Sequence, residues 1–132
     1  MKALLPAGWP RPKGYSNGIS ARGRVIVTAG VIGWDENERF AAKHLAGQFR
    51  QVLENIRLIL EADGADVEHI VRMTWYVTDI EAYRSSMPEI GSAYRDVIGR
   101  HYPAMAVVGV DALVEPEALI EIEALAIVPD EP

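Results

Sequence analysis

Leu119-Ile120-Glu121-Ile122-Glu123-Ala124-Leu125-Ala126-Ile127-Val128 is the stretch that decides how this chain folds. Side chains alternate across a strand. Ile120, Ile122, Ala124 and Ala126 therefore share one face, and Leu119, Glu121, Glu123, Leu125 and Ile127 the other. The first set is small and apolar and suits packing under helices. The second mixes carboxylates with hydrophobic neighbours. The preceding strand, Ala104 to Val110, sets Met105, Val107 and Gly109 against Ala106, Val108 and Val110, and neither of its faces is polar. An antiparallel sheet with one face in water alternates cleanly between apolar and polar. This sheet does not, so its second face is expected to be buried against other copies of the chain.

Upstream, Ile70 to Thr78 alternates Val71, Met73, Trp75 and Val77 with Arg72, Thr74, Tyr76 and Thr78, and reads as a strand. Asp79 is placed to cap a helix beginning at Ile80. There Ile80, Tyr83, Met87, Ile90, Tyr94 and Val97 keep helical spacing as far as Gly99, with a break or fresh first turn expected at Pro88. Leu45, Phe49, Val52, Leu53, Ile56, Ile59 and Leu60 define the apolar face of another helix, with Gly64 expected at its C′ position. Val25 to Ala29 reads as a buried strand. Gly14 to Ala21 is its expected hairpin partner, turning at Arg22-Gly23. The order is β-β-α-β-α-β-β, with two helices covering one face of one sheet, which is a two-layer α+β architecture. Residues 1–132 are read as a single domain, with 1–13 an irregular Pro- and Gly-rich arm and 129–132 an acidic solvated tail.

Composition narrows the function classes. The 132 residues hold 13 Lys+Arg against 19 Asp+Glu, a net charge of −6. Two basic pairs, Arg11/Lys13 and Arg22/Arg24, make a poor phosphate-binding surface, so nucleic acid is not an expected partner. No run of 18 apolar residues is present, so no membrane helix is expected. Met1 to Pro12 holds three prolines and no apolar core, which predicts no secretory leader. There is no cysteine, hence no disulfide, thiolate nucleophile or Cys-ligated metal, and a reducing cytoplasm is the expected setting. The mean hydropathy of +0.03 is high for a small acidic protein that must present its whole surface to water.

Few residues suggest chemistry by themselves. His44, His69 and His101 show no metal-ligand spacing, so no metal is expected. Gly30-Val31-Ile32-Gly33 lacks the pattern of a phosphate cradle and reads as a strand-end turn. Glu121 and Glu123 are more informative. They lie about 7 Å apart on one strand face. A half-buried carboxylate needs a partner or shifts its pKa upward, and such a group can serve as general acid or base. The competing reading is an ion pair with an arginine, either Arg72 or one from a neighbouring subunit.

Taken in order, several segments resemble the Rid (reactive intermediate deaminase), or YjgF, family. They are Gly14-Tyr15-Ser16, Thr28-Ala29-Gly30, Gln48 with Leu53-Glu54-Asn55-Ile56 (the Q-x-x-x-x-L-x-N pattern), Val71 to Asp79, Tyr94, Pro103-Ala104 and Ile120 to Ala124. The resemblance covers Gly14 to Val128. It implies a chorismate-mutase-like fold and a homotrimer whose sheets line a central barrel, with ligand clefts between subunits. It implies no cofactor. In deaminating members an enamine or imine derived from an amino acid is hydrolysed to a keto acid and ammonia. An arginine two residues after the Pro of Pro-Ala binds the substrate carboxylate, while a tyrosine and the first Glu of the I-E-I-E strand complete the cleft.

Carried over residue by residue, Tyr15 and Glu121 match, and Glu121 becomes the candidate catalytic group. Met105 stands where the arginine is expected, and methionine cannot pair with a carboxylate. Ala29-Gly30-Val31 replaces a more polar S-G-Q strand end, and Gly91 stands where an asparagine often lies. The implied ligand-binding set is Tyr15, Gly30, Trp34, Tyr94 and Met105, in a cleft more apolar than that of a deaminase. Trp34 is either an aromatic wall of that cleft or a loop residue packed on its own subunit. The expected function is metabolite binding in inter-subunit clefts, with imine or enamine hydrolysis over an altered substrate range. The alternatives are a non-catalytic metabolite-binding or accessory protein and, less favoured, an endoribonuclease or translation inhibitor.

Overall fold

The computed structural model describes residues 1–131, so the last residue of the acidic tail lies outside the described residues. The elements are β1 (Lys2–Ala3), β2 (Ile19–Ser20), β3 (Arg24–Val27), β4 (Val31–Ile32), α1 (Leu45–Glu61), β5 (Ile70–Val77), α2 (Ile80–Ser85), α3 (Met87–Val97), β6 (Ala104–Gly109) and β7 (Ile120–Val128). Five strands form one sheet in the order β3-β7-β5-β6, with β4 also paired to β7. β5 and β6 run parallel and the other pairs antiparallel. A parallel pair needs a crossover, and α2 with α3 supplies it.

The alternation in β7 sets the layers. Ile120, Ile122, Ala124 and Ala126 are buried against the helical layer, beside Met73, Trp75 and Val77 of β5. From α1, Phe49, Val52, Leu53, Ile56 and Leu60 close the core completely, while Ile90, Ala93 and Tyr94 do so from α3. Ile59, expected on the same face of α1, is 42% exposed; the buried stripe passes through Leu60 instead. The long amphipathic run after Asp79 divides in two. The Asp79 carboxylate accepts from Ala82 N at 3.0 Å and starts α2, and α3 begins afresh at Met87 with Pro88 in its first turn.

The N-terminal third differs from expectation. β2 pairs with β1, not with β3, so the arm 1–13 contributes a strand at Lys2–Ala3. The reason lies at Gly23, whose φ of +147° lets the backbone pass close to the carbonyl of Val128. That turn delivers β3 directly onto β7, pairing Arg24 with Val128 through Val27 with Leu125. β3 is also not buried within the chain: Val25 is 58% and Val27 67% exposed, and only Ile26 packs toward the core. Gly64 adopts φ +72°, but two residues beyond the Ala62 cap rather than directly after it.

One polar side chain is part of the core. Gln48 is 1% exposed, and its amide donates to the carbonyls of Ala42 (3.2 Å) and Glu117 (3.0 Å) while its Oε1 accepts from Leu119 N (2.8 Å). A buried group left unpaired costs about 1–3 kcal/mol. Gln48→Leu orphans three backbone groups at once. Its unfolding free energy should fall by about 2–4 kcal/mol, measured from urea midpoints; a loss under about 0.5 kcal/mol would contradict this account.

Candidate functional site

A cleft of about 530 Å³ opens at the β6 side of the sheet, between the sheet and the α2–α3 pair. Its position follows from the strand register. Met105 and Val107 of β6 stand beside Met73 and Trp75 of β5, on the face that the helices cover. Tyr83 from α2 and Met87, Ile90, Gly91, Tyr94 and Arg95 from α3 form the opposite wall. The N-terminal segment closes one end. Ser16 bridges Ala104 in parallel sense, donating from its N–H to Pro103 O (3.0 Å) and from its hydroxyl to Tyr102 O (2.5 Å). This sets Lys13, Gly14 and Tyr15 at the rim.

The walls are mostly aromatic. Tyr94 and Tyr102 stack with ring centroids 5.8 Å apart and an 8° interplanar angle, and Trp75 lies 6.3 Å from both Tyr83 and Tyr94. The Tyr94 hydroxyl donates to the carbonyl of His101. Burial, with a smaller contribution from Tyr102, pushes the Tyr94 phenol well above its ordinary pKa, so it stays a neutral donor. Burial likewise raises the pKa of Tyr83.

Of the residues singled out from sequence, Tyr15, Tyr94 and Met105 meet in this cleft. Gly30 and Glu121 meet each other elsewhere. Between β3 and β4 the register passes from Val27↔Leu125 to Val31↔Ile122, so three residues, Thr28–Gly30, face two on β7. This is a bulge, and it lays the Glu121 carboxylate over the bare Cα of Gly30; an added Cβ there would collide with Glu121 Oε2. Trp34 takes a third place. It packs 6.0 Å from Phe40 in a small cluster with Ile32 and Ala118 of its own subunit, away from the cleft.

Glu123 has a partner, though not an arginine: Tyr76 donates its hydroxyl at 2.7 Å, which raises the Tyr76 pKa. Arg72 makes no ion pair among the described residues. Two of the three histidines contact backbone atoms. His69 Nδ1 accepts from Asp66 N at 3.0 Å, and His101 Nε2 lies 2.6 Å from Ile70 O. Sequence reasoning did not single out Lys13, Arg95 or Tyr102 as lining groups. It did recognise the helical spacing of Tyr83, Met87, Ile90 and Tyr94, but assigned only Tyr94 to the cleft, whereas all four line it.

Comparison with known proteins places the chain in a family. A family model described as endoribonuclease L-PSP matches residues 10–128. The chain belongs to that family, the Rid/YjgF family of the sequence resemblance. A RutC family protein of Pyrococcus horikoshii is 38% identical over 119 residues, covering 89% of this chain and 90% of the relative. A 2-iminobutanoate/2-iminopropanoate deaminase of Salmonella typhimurium is 32% identical over 116 residues, 86% of each chain. The crystal structure of the Rid-family protein YyfB of Yersinia pestis, of unknown function, aligns with a TM-score of 0.85 at 29% identity, over 96% of this chain and 98% of that one.

The contact between Gly30 and Glu121 gives a prediction. Gly30→Ala should leave stability within about 1 kcal/mol, because the group displaced is the free end of a flexible side chain. It should nevertheless swing the Glu121 carboxylate out of its present position. A crystal structure of the variant with that carboxylate unmoved would show the contact to be unimportant.

Proposed function

We propose that the protein is a homotrimer that binds a small metabolite in clefts between its subunits. There it hydrolyses an imine, an enamine or a similarly electrophilic carbon, on substrates other than those of arginine-bearing Rid proteins. The observation that carries this reading is the division of the site within one chain. Tyr15, Tyr94 and Met105 lie in the β6-side cleft, while Glu121 stands over Gly30 on the sheet face opposite the helices. That face also carries the exposed Val25 and Val27 and the partly covered Leu125 and Ile127, and an apolar sheet face of this kind calls for a cover. A neighbouring copy laid on it would hide the apolar strands and bring one chain's Glu121 toward another's cleft.

The chemistry is set by the groups available. Water adds to the C=N carbon while Glu121 takes its proton and passes it to the nitrogen, giving a carbinolamine; a second transfer through the same carboxylate, from the carbinolamine hydroxyl to the amine, breaks the C–N bond and releases a carbonyl compound and ammonia. Tyr15 closes the rim. Met105 offers no charge to a carboxylate, so small imino acids such as 2-iminopropanoate should be turned over poorly. The same methionine favours the second reading, a non-catalytic binding protein that uses the same cleft. The ribonuclease reading is disfavoured by the net charge of −6; salt-dependent RNA retention on filters would revive it.

Light scattering at micromolar concentration should return three times the chain mass of 14.5 kDa; a monomeric mass would sink the inter-subunit site. In a serine-dehydratase-coupled assay the protein should accelerate release of pyruvate and ammonia only slightly, and a rate equal to that of an arginine-bearing member would overturn the role given to Met105. On a substrate that is turned over, Glu121→Gln should abolish turnover and leave a folded trimer. Full activity in that variant would remove Glu121 from the chemistry.

A further inference from the structure

The chain carries more acids than bases, yet its cleft reverses that balance. Only two charged residues line it, Lys13 and Arg95, and both are cationic. Arg95 makes no ion pair among the described residues, whereas Arg50, Arg57 and Arg84 on the same helical layer are each engaged by a carboxylate. Its position depends on Gly91, one turn earlier on α3. A Cβ at Gly91 would lie 3.3 Å from a terminal nitrogen of the Arg95 guanidinium, so the side chain rests across the bare Cα of the glycine. Side chains four residues apart share a helix face, and this pair faces the cleft. A larger residue at position 91 would push the guanidinium aside. A second feature of the same wall is polar. Trp75 lines the same cleft at 3% exposure, and its Nε1 is the one buried side-chain polar atom without a hydrogen-bond partner among the described residues. Buried indole N–H groups ordinarily find an acceptor.

We propose that Arg95, laid over Gly91, is the carboxylate-recognising cation of this cleft, supplied from α3 rather than from β6, and that the ligand's other end is an aromatic or comparably large apolar group. This rests on the reading that the cleft binds a small metabolite. The planar guanidinium fork suits a carboxylate. The Tyr94–Tyr102 stack of the cleft, with Trp75 and Tyr83, offers ring faces to an aromatic group. Lys13 adds a second positive charge at the rim. The specificity is thus for an aryl-bearing monocarboxylate, with the acid held near α3.

The test uses the full-length protein and three probes: phenylacetate, its neutral amide phenylacetamide, and acetate. Binding is followed by NMR through the Trp75 indole N–H resonance, assigned with Trp75→Phe. Phenylacetate should bind at least about tenfold more tightly than either of the others, the size expected for a charge-assisted pair. Arg95→Met should erase the preference for phenylacetate over its amide while leaving the amide's affinity unchanged. Gly91→Asn should do the same without touching the charge, and Met105→Arg in the Arg95→Met background should restore the preference. Arg95 makes no ion pair among the described residues, so its replacement is not expected to disturb the fold. If the preference survives Arg95→Met, or is lost only in Lys13→Met, the assignment to Arg95 is overturned while ligand binding in the cleft stands. If no probe moves the Trp75 resonance, both the assignment and the cleft reading fail.

Discussion

The amide of Gln48 is the constraint on which the other elements depend. It sits in an otherwise apolar core and spends two donors and its oxygen on three backbone groups, leaving no unpaired polarity behind. Those groups belong to the approach to α1 and to the approach to β7. Two turns further along α1, Asn55 donates to the carbonyls of Ile32 and Trp34, at 3.1 and 2.8 Å, where the chain leaves β4. One helix therefore holds both loops that flank the β4–β7 pair. That pair carries Gly30 and Glu121, and the bulge keeps its register only while its ends are fixed. The Q-x-x-x-x-L-x-N pattern is thus a clamp, with Leu53 as the fully buried residue between two amides.

Much of the architecture was legible because it rests on periodicity. The alternation in β7 and β5 assigns faces directly, and the stripe from Leu45 to Leu60 assigns α1 with one misplacement, Ile59. The family could be read for a different reason: several of its pattern residues, Ser16, Gln48, Asn55, Asp79 and Tyr94, hydrogen-bond backbone through their side chains. The failures share a cause as well. β1 and β2 are two residues each, too short for periodicity to speak. The pairing of β3 with β7 joins segments about a hundred residues apart, and nothing local announces it. Val25 and Val27 are apolar yet exposed within one chain, which a rule that sends β-branched residues inside does not foresee.

The candidate site shows the same division. Tyr15 and Met105 were named by position in a pattern, and the structure brings them together through a single bridge between Ser16 and Ala104. Arg95 belongs to no pattern. Its place in the cleft depends on what is missing four residues earlier, and an absent side chain is hard to read as a signal. The alternation groups Trp75 with Met73 and Val77, which form the buried face of the strand, but its unpaired N–H emerges only when every neighbouring acceptor has been accounted for.

The segment that closes the cleft has a kinetic meaning. Residues 13–16 lie along the edge of β6, secured by two hydrogen bonds from Ser16 to backbone carbonyls and by little buried apolar surface, since Tyr15 is 45% exposed. Their contacts join positions 86 residues apart, so this flap is fastened only after the sheet is complete. It can also be released while the core is intact, because local opening costs only the contacts it breaks. The wall of the cleft that carries Tyr15 can thus open while the sheet and helices stay folded.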